Sequence, residues 1–161
     1  MARIKEIRTG VIGVGSMGQN HARVFNEISD LVGIADPDEK QGLALSKKFG
    51  VKWYSNYEDM LSEVDAVTIA VPTYLHLKIA KEVANAGVHL LVEKPLAVNS
   101  EDALKIISEA SKNDVTLAVG QIERHNTIVQ HARKCLDNGE WGDIISLSAS
   151  RFSNYPFRIR D

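Results

Sequence analysis

The length, composition and charge of this chain exclude several classes of protein. It has 161 residues, 44% hydrophobic and 25% charged, which is typical of a soluble globular protein that needs no disulfide or metal to hold its fold. The formal net charge of −2 provides no basic field, so neither nucleic acid nor a membrane is expected as a partner. The single cysteine, Cys135, the polar start and the absence of a membrane-length apolar run favour a cytoplasmic protein.

Apolar runs of strand length alternate with amphipathic runs of helix length through most of the chain. In chain order, strands are predicted over residues 10–14, 31–36, 51–54, 65–71, 88–92 and 115–119. Helices are predicted over residues 16–29, 38–49, 74–86 and 100–112, with a helical turn at 57–62. Strand followed by helix, repeated in this way, predicts an α/β fold with a doubly wound parallel sheet and helices on both faces.

The pattern changes in the last quarter of the chain. A helix is predicted over residues 126–136, and an alternating run predicts a longer strand over residues 143–152. Because alternation is typical of a sheet with one wet or differently covered face, we expect a second domain to begin at Gln121. Residues 1–120 would then be the first domain, and residues 121–161 the truncated beginning of a second α/β domain.

A glycine-rich turn, "GVGSMG", joins the first predicted strand to the first predicted helix. It places Gly13, Gly15 and Gly18 in the G-x-G-x-x-G pattern of dinucleotide-binding Rossmann folds. In that pattern the first glycine permits the tight turn, the second lets pyrophosphate approach, and the third lets helix and strand pack closely. The amides near Ser16 and Met17 would point partial positive charge at the phosphates. A plain strand-to-helix turn is the alternative.

Asp36 stands at the end of the second predicted strand, eighteen residues after Gly18. A carboxylate at this position accepts hydrogen bonds from the adenosine ribose hydroxyls and repels a 2′-phosphate. The residues that follow, "PDEK", include no arginine that would receive such a phosphate. The sequence therefore favours NAD over NADP, although Asp36 could instead cap the next helix.

Two further segments end at the carboxyl edge of the predicted sheet, where α/β folds bind ligands. Val71, Pro72 and Thr73 would form a rigid wall where the cofactor runs toward its nicotinamide, because proline lacks an amide and has a fixed φ. His76, early in the next helix, either contacts the cofactor or is a helix-capping or partly exposed side chain.

The other segment at this edge is Glu93-Lys94-Pro95, which follows the apolar run of the fifth strand. The proline favours an extended backbone at Lys94, so its side chain would project toward the nicotinamide and substrate, with Glu93 positioning it. A lysine partly desolvated beside a positive ring can accept or relay a proton. A solvated ion pair in a surface loop is the alternative.

Together these segments resemble one known family. The residues that carry the resemblance are the glycine turn, Asp36, Val71-Pro72-Thr73 with His76, Glu93-Lys94-Pro95 and "VGQIERHN" at 119–126. In this order they are similar to the glucose–fructose oxidoreductase, inositol dehydrogenase and rhizopine-catabolism (Gfo/Idh/MocA) family. The resemblance implies that Lys94 is catalytic and hydrogen-bonds the reacting hydroxyl, and that Glu93 and Gln121 line the nicotinamide pocket.

More narrowly, "GQIERHN" and the final "RIRD" resemble archaeal UDP-N-acetylglucosamine 3-dehydrogenases. In that interpretation Arg124 is a candidate contact to substrate or cofactor. Three more arginines, Arg151, Arg158 and Arg160, are candidates to meet a nucleotide diphosphate. Exposed charges on a partial domain are the alternative for all four.

The resemblance also implies a longer protein. Family members carry a second domain with an antiparallel sheet for oligomerisation and a catalytic D-x-x-x-H segment, which nothing in this chain matches. We therefore expect a piece that binds NAD but turns over substrate poorly, from a homo-oligomeric dehydrogenase of a sugar or sugar nucleotide. An inositol, dihydrodiol or biliverdin type of substrate, or a non-catalytic nucleotide-sensing module, remain alternatives.

Overall fold

The computed structural model describes residues 7–150 and residue 152. The contacts within the chain divide it into two compact units, Met1–Gln121 and Ile122–Asp161, and each is described by itself. None of the helices in the described ranges has the length and apolar character needed to cross a bilayer.

The first unit is built on a parallel sheet whose six strands run in the order β3-β2-β1-β4-β5-β6. The strands are β1 (Arg8–Ile12), β2 (Asp30–Ala35), β3 (Lys52–Tyr54), β4 (Ala66–Ile69), β5 (His89–Val92) and β6 (Leu117–Val119). The order reverses between β1 and β4, which creates a crevice outside the carboxyl ends of these strands. The predicted doubly wound Rossmann sheet is therefore confirmed.

Helices cover both faces of this sheet. They are α1 (Ser16–Ile28), α2 (Glu39–Phe49), α3 (His76–Asn85) and α4 (Ser100–Lys112), with 3₁₀ turns at Tyr57–Glu63 and Thr73–Leu75. Side chains of β1 pack on both faces of the sheet. Val11 packs with residues of α1 and α2, and Ile12 packs with residues of α3 and α4. Successive side chains of a strand point to opposite faces, so a strand covered on both sides reads as one apolar run.

Several predicted strands extend too far at their carboxyl ends. The runs 10–14, 31–36 and 65–71 were each predicted as strand throughout, but β1, β2 and β4 end two, one and two residues earlier. These final residues leave the sheet and enter the loops above it. Val14 is apolar because its loop is itself covered, as its full burial shows, whereas Asp36 is a half-buried carboxylate.

The second unit contains a 3₁₀ turn at Ile122–His125 and the helix α5 (Thr127–Asp137). The predicted strand over residues 143–152 is wrong for the described part of that range, because residues 144–150 and 152 have no regular structure. A strand must pair with another strand to satisfy its backbone, and the described part of this unit contains no other strand. That the unit begins a substrate domain stays a prediction.

Candidate functional site

A groove of about 410 Å³ lies at the carboxyl edge of the sheet, beside the reversal of strand order. Five of the residues predicted to bind a cofactor line it: Gly13, Gly15, Asp36, Val71 and Pro72. The other predicted cofactor residues are not among its lining: Ser16, Met17, Gly18, Thr73, His76, Glu93, Lys94 and Gln121. The groove therefore brings Gly13, Gly15 and Asp36, predicted for the phosphate and adenosine end, together with Val71 and Pro72, predicted for the wall toward the nicotinamide.

The three glycines of the turn meet different constraints. Gly13 has a φ of +87°, and a Cβ there would lie 2.7 Å from the Ala70 carbonyl oxygen. A Cβ on Gly18 would lie 1.8 Å from the Gly13 carbonyl oxygen, which fits the predicted close packing of helix on strand. A Cβ on Gly15 would meet nothing within 4 Å, so that position faces open space. A strand-to-helix turn that binds no ligand would need glycine at positions 13 and 18 but not at position 15.

The amino terminus of α1 differs from those of α2 and α4. Asp38 caps α2 and Asn99 caps α4, each with its side chain accepting a backbone N–H of the first turn. At α1 the cap is Gly15, with no side-chain hydrogen bond and no acidic residue in the first turn. The first amides of a helix have no intrahelical partner, so those of Ser16 and Met17 can receive an anion.

Asp36 is half-buried at the end of β2, and its carboxylate is held by the backbone on both sides. The Val14 N–H donates to its Oδ2 at 2.7 Å, and the Asp38 N–H to its Oδ1 at 2.8 Å. The helix-cap interpretation of Asp36 is wrong, because α2 is capped by Asp38, which accepts the Gln41 N–H at 3.1 Å. A carboxylate offers about four lone-pair positions, so Asp36 keeps about two for a ligand.

The sequence analysis missed several groove residues, among them Gln41, Asn56, Tyr57 and Lys78. The Tyr57 hydroxyl donates to Glu82 of α3, and burial together with that carboxylate raises the pKa of Tyr57. Asn56 and Tyr57 were open to prediction, since they follow β3, whose carboxyl end meets the same edge of the sheet. Nothing in the sequence indicated Lys78, because its position beside the groove depends on how α3 packs on the sheet.

Glu93-Lys94-Pro95 follows β5 at this same edge, on the far side of the loop after β4. Glu93 is only 9% exposed: its Oε1 accepts a hydrogen bond from His21 Nε2 at 2.8 Å, and its Oε2 the Lys94 N–H at 3.1 Å. The alternative of a solvated Glu–Lys pair is therefore wrong, because the glutamate is buried and turned toward α1. The Lys94 side chain is exposed.

His76 is 1% exposed and lies between two loops. Its Nε2 is 3.0 Å from the Val71 carbonyl oxygen, and its Nδ1 is 3.0 Å from that of Pro95 and 3.2 Å from that of Leu96. The interpretation of His76 as a helix-capping or partly exposed side chain is wrong, because both ring nitrogens are engaged inside the protein. Its predicted contact with the cofactor stays a prediction.

The remaining predicted residues lie farther along the chain. Gln121 is exposed just after β6, and its N–H donates to the Val119 carbonyl at 2.7 Å. Arg124 is exposed in the second unit, where it borders an open groove along α5 with Arg133 and Lys134. The other three candidate arginines, Arg151, Arg158 and Arg160, lie outside the described residues.

Over residues 7–121 the chain matches the family described as an oxidoreductase family with an NAD-binding Rossmann fold, Gfo/Idh/MocA. That match covers more than half of the chain. The chain belongs to the Gfo/Idh/MocA oxidoreductase family. The predictions of the family and of its NAD-binding Rossmann fold are thereby confirmed.

Relatives within and around the family show what the chain is similar to. It is 36% identical over 154 residues to the UDP-N-acetylglucosamine 3-dehydrogenase of Acidithiobacillus ferrooxidans, covering 96% of this chain and 47% of that protein. It is 33% identical over 150 residues to an inositol 2-dehydrogenase of Corynebacterium glutamicum, covering 89% and 44%. The chain thus spans about half the length of the curated relatives it matches.

A solved structure supports the prediction of the cofactor. The WlbA dehydrogenase of Bordetella pertussis, in complex with NADH and UDP-GlcNAcA, matches with a TM-score of 0.80 at 32% identity, over 84% of this chain and 43% of that one. With the family description, this confirms NAD as the cofactor that the sequence analysis predicted. The archaeal placement stays a prediction.

Proposed function

We propose that this chain binds NAD along the carboxyl edge of its sheet and forms the cofactor half of a dehydrogenase that oxidises a ring hydroxyl of a sugar or sugar nucleotide. The observation that carries the proposal is the open face above Gly15 at the uncapped start of α1, in the same groove as the Asp36 carboxylate. An anion and a ribose therefore have complementary partners a few residues apart.

The phosphate and adenosine end follows from these contacts. The pyrophosphate would lie over Gly13 and Gly15 and accept the amides of Ser16 and Met17, while Gly18 keeps the helix close enough to present them. At the adenosine ribose, the two remaining lone-pair positions of Asp36 would accept the hydroxyl groups. This arrangement excludes a 2′-phosphate by charge, which supports NAD over NADP.

The nicotinamide end is proposed to lie toward the loops after β4 and β5. Val71, Pro72 and Thr73 would form its wall, with His76 behind them and Glu93 and Gln121 at its far side. NAD supplies the hydride chemistry when it is bound. Lys94, whose exposed amine extends from this edge, would hold the reacting hydroxyl of the substrate and accept or relay its proton.

The 36% identity to a UDP-N-acetylglucosamine 3-dehydrogenase favours a sugar nucleotide as the substrate. Arg124 and Lys134 border an open groove of the second unit together with Arg133, which is paired with Asp137 of the same groove; the net positive charge of this groove suits a diphosphate. A cyclic polyol is the second candidate, because the chain is also 33% identical to an inositol 2-dehydrogenase. We further propose that the protein acts in the cytoplasm and assembles as a homo-oligomer.

A valine at Gly15 tests the proposed phosphate site. A Cβ at position 15 would meet no protein atom within 4 Å, and the φ of −63° suits any residue, so we expect the Gly15→Val variant to fold. It should nonetheless weaken NADH binding by at least about tenfold, because the new side chain occupies the space over the amides. Fluorescence titration with NADH measures this, and thermal unfolding checks the fold.

Unchanged NADH affinity in Gly15→Val would show that the pyrophosphate does not lie over the turn.

The proposed dehydrogenase activity is tested separately by following NADH absorbance at 340 nm with UDP-N-acetylglucosamine or inositol, on the longest form of the protein that can be produced. There Lys94→Ala should abolish turnover while NADH still binds. Full turnover in that variant would remove Lys94 from the mechanism. Absence of turnover in the unchanged protein, with NADH still bound, would favour the non-catalytic nucleotide-sensing alternative.

A further inference from the structure

We infer that His21 and His76 are positioning residues that hold the backbone on both sides of Lys94, so that its amine is presented to the nicotinamide end of the cofactor. The inference deepens the proposed function and rests on it. Neither histidine lines the groove, and each acts through the residues next to Lys94 in the chain.

His21 holds the residue before Lys94. The histidine lies on α1, and its Nε2 donates to one carboxylate oxygen of Glu93, whose other oxygen accepts the Lys94 N–H. The side chains of His21 and Glu93 are 18% and 12% exposed, so water competes little for this bridge. Gly120 closes the space behind it, since a Cβ there would lie 3.2 Å from the carboxylate carbon.

His76 holds the residues after Lys94. All its partners, the carbonyl oxygens of Val71, Pro95 and Leu96, are acceptors, so each ring nitrogen that carries a hydrogen donates to one loop. The ring lies between the loops after β4 and β5: an N–H donates to one loop while the ring packs against the other, and the carbonyl oxygens of Val71 and Pro95 lie no more than about 8 Å apart. An apolar ring would remove the side-chain donor from these part-buried carbonyls.

These two contacts link Lys94 to both proposed ends of the cofactor site. His21 is on the helix whose first amides face the pyrophosphate, five residues after Ser16. Through Val71, His76 is tied to the groove itself. Because Lys94 lies outside the groove and its side chain is exposed, only its backbone can fix where the amine points, and both histidines act on that backbone.

The test measures how well bound NADH shields Lys94 from reductive dimethylation, read for the Lys94 peptide by mass spectrometry. NADH is saturating for every variant, which separates shielding from affinity. In the unchanged protein NADH should slow the labelling of Lys94 by about tenfold or more, which corresponds to a free-energy difference of about 1.4 kcal/mol. His21→Phe and His76→Phe, which keep a ring but lose the donors, should lose most of this shielding.

Conservative variants distinguish positioning from mere stability. His21→Gln keeps a donor for Glu93 and should restore the shielding. His76→Asn and His76→Gln each place an amide NH₂ group toward one loop or the other, and the one that replaces the donating nitrogen should retain most of the shielding even if His76→Phe does not fold. His89→Asn is the matched control: an exposed histidine at the opposite end of β5, expected to behave like the unchanged protein.

The outcomes are separable. If NADH binds the unchanged protein without shielding Lys94, the proposed placement of the nicotinamide fails, and this inference fails with it. If the unchanged protein is shielded and His21→Phe and the His76 variants are shielded equally well, the proposed function stands and the positioning role is refuted.

Discussion

Replacing Asp36 by asparagine tests the proposed choice of cofactor. The substitution removes the negative charge and one acceptor oxygen while keeping the size of the side chain. Asp36 already accepts the N–H groups of Val14 and Asp38, so a ribose would take its remaining lone-pair positions. We expect Asp36→Asn to weaken NAD and to lose discrimination against NADP.

The magnitude follows from these contacts. A hydrogen bond to a charged group contributes about 1.5–3 kcal/mol, so losing one ribose contact should weaken NAD roughly 10- to 150-fold. A 2′-phosphate about 4 Å from the carboxylate is repelled by about 1 kcal/mol per unit charge in water and about 4 kcal/mol in a partly buried site. Asp36→Asn removes that repulsion, so the ratio of the NADP Kd to the NAD Kd should fall by at least about tenfold.

Calorimetric titration of NAD and NADP into the same preparations measures both constants. Asp38→Asn is the matched control, because it removes an equal negative charge only two residues from Asp36. The Asp38 side chain caps α2 and does not line the groove. The control should leave the NADP to NAD ratio near that of the unchanged protein. If Asp36→Asn leaves the ratio unchanged as well, Asp36 does not contact the ribose, and the reasoning from its lone pairs is refuted.

Three further predictions concern stability. Gly18→Ala should lower the Tm by roughly 5–10 °C in calorimetry, because its Cβ would lie 1.8 Å from a backbone oxygen of the turn; an unchanged Tm would mean that the turn relaxes freely. Hydrogen bonding to Arg8 lowers the pKa of Asp65 in the folded protein below its ordinary 3.8. The ionised carboxylate therefore stabilises the fold fully above pH 3.8, and this stabilisation is lost as the pH falls through the pKa of the folded state. Asp65→Asn should therefore flatten the acid limb of the free energy of unfolding in urea titrations between pH 7 and 3, and an equally steep limb would contradict this. Burial and Glu82 raise the pKa of Tyr57, so stability should decline as the pH rises above the ordinary 10.0. Burial also raises the pKa of Tyr54, so Tyr57→Phe should make that decline shallower in Tm measurements from pH 9 to 11, and an equally steep decline would contradict this.

Local signals were sufficient for most elements of the first unit. The helix predicted over residues 100–112 is found as Ser100–Lys112, because a capping asparagine and a three-to-four residue apolar spacing are both local features. The helix predicted over residues 38–49 likewise begins after Asp38 and ends at Phe49, followed by the capping Gly50, whose φ of +69° favours glycine. The strand at 143–152 failed because a strand depends on a partner elsewhere in the chain, which its alternation cannot reveal.

The candidate site divides in the same way. The glycine turn and Asp36 were open to prediction because they act at the ends of adjacent elements, through backbone geometry and one carboxylate. Lys94 was placed at the correct edge of the sheet by the parallel order of the strands. Its predicted role in the reaction, like the predicted contacts to cofactor and substrate, awaits the experiments above.

By itself, the sequence determined the alternation of strands and helices, the glycine turn, in which positions 13 and 18 have no room for a side chain, and the family. Only the tertiary structure decided which loops meet: His21 reaches Glu93 across 72 positions of the chain, and His76 joins the loops after β4 and β5. The physical reason is that periodicity and capping act over one or two turns of chain. Contacts across the edge of a sheet depend instead on strand order and helix packing, which bring together residues whose spacing in the sequence carries no signal.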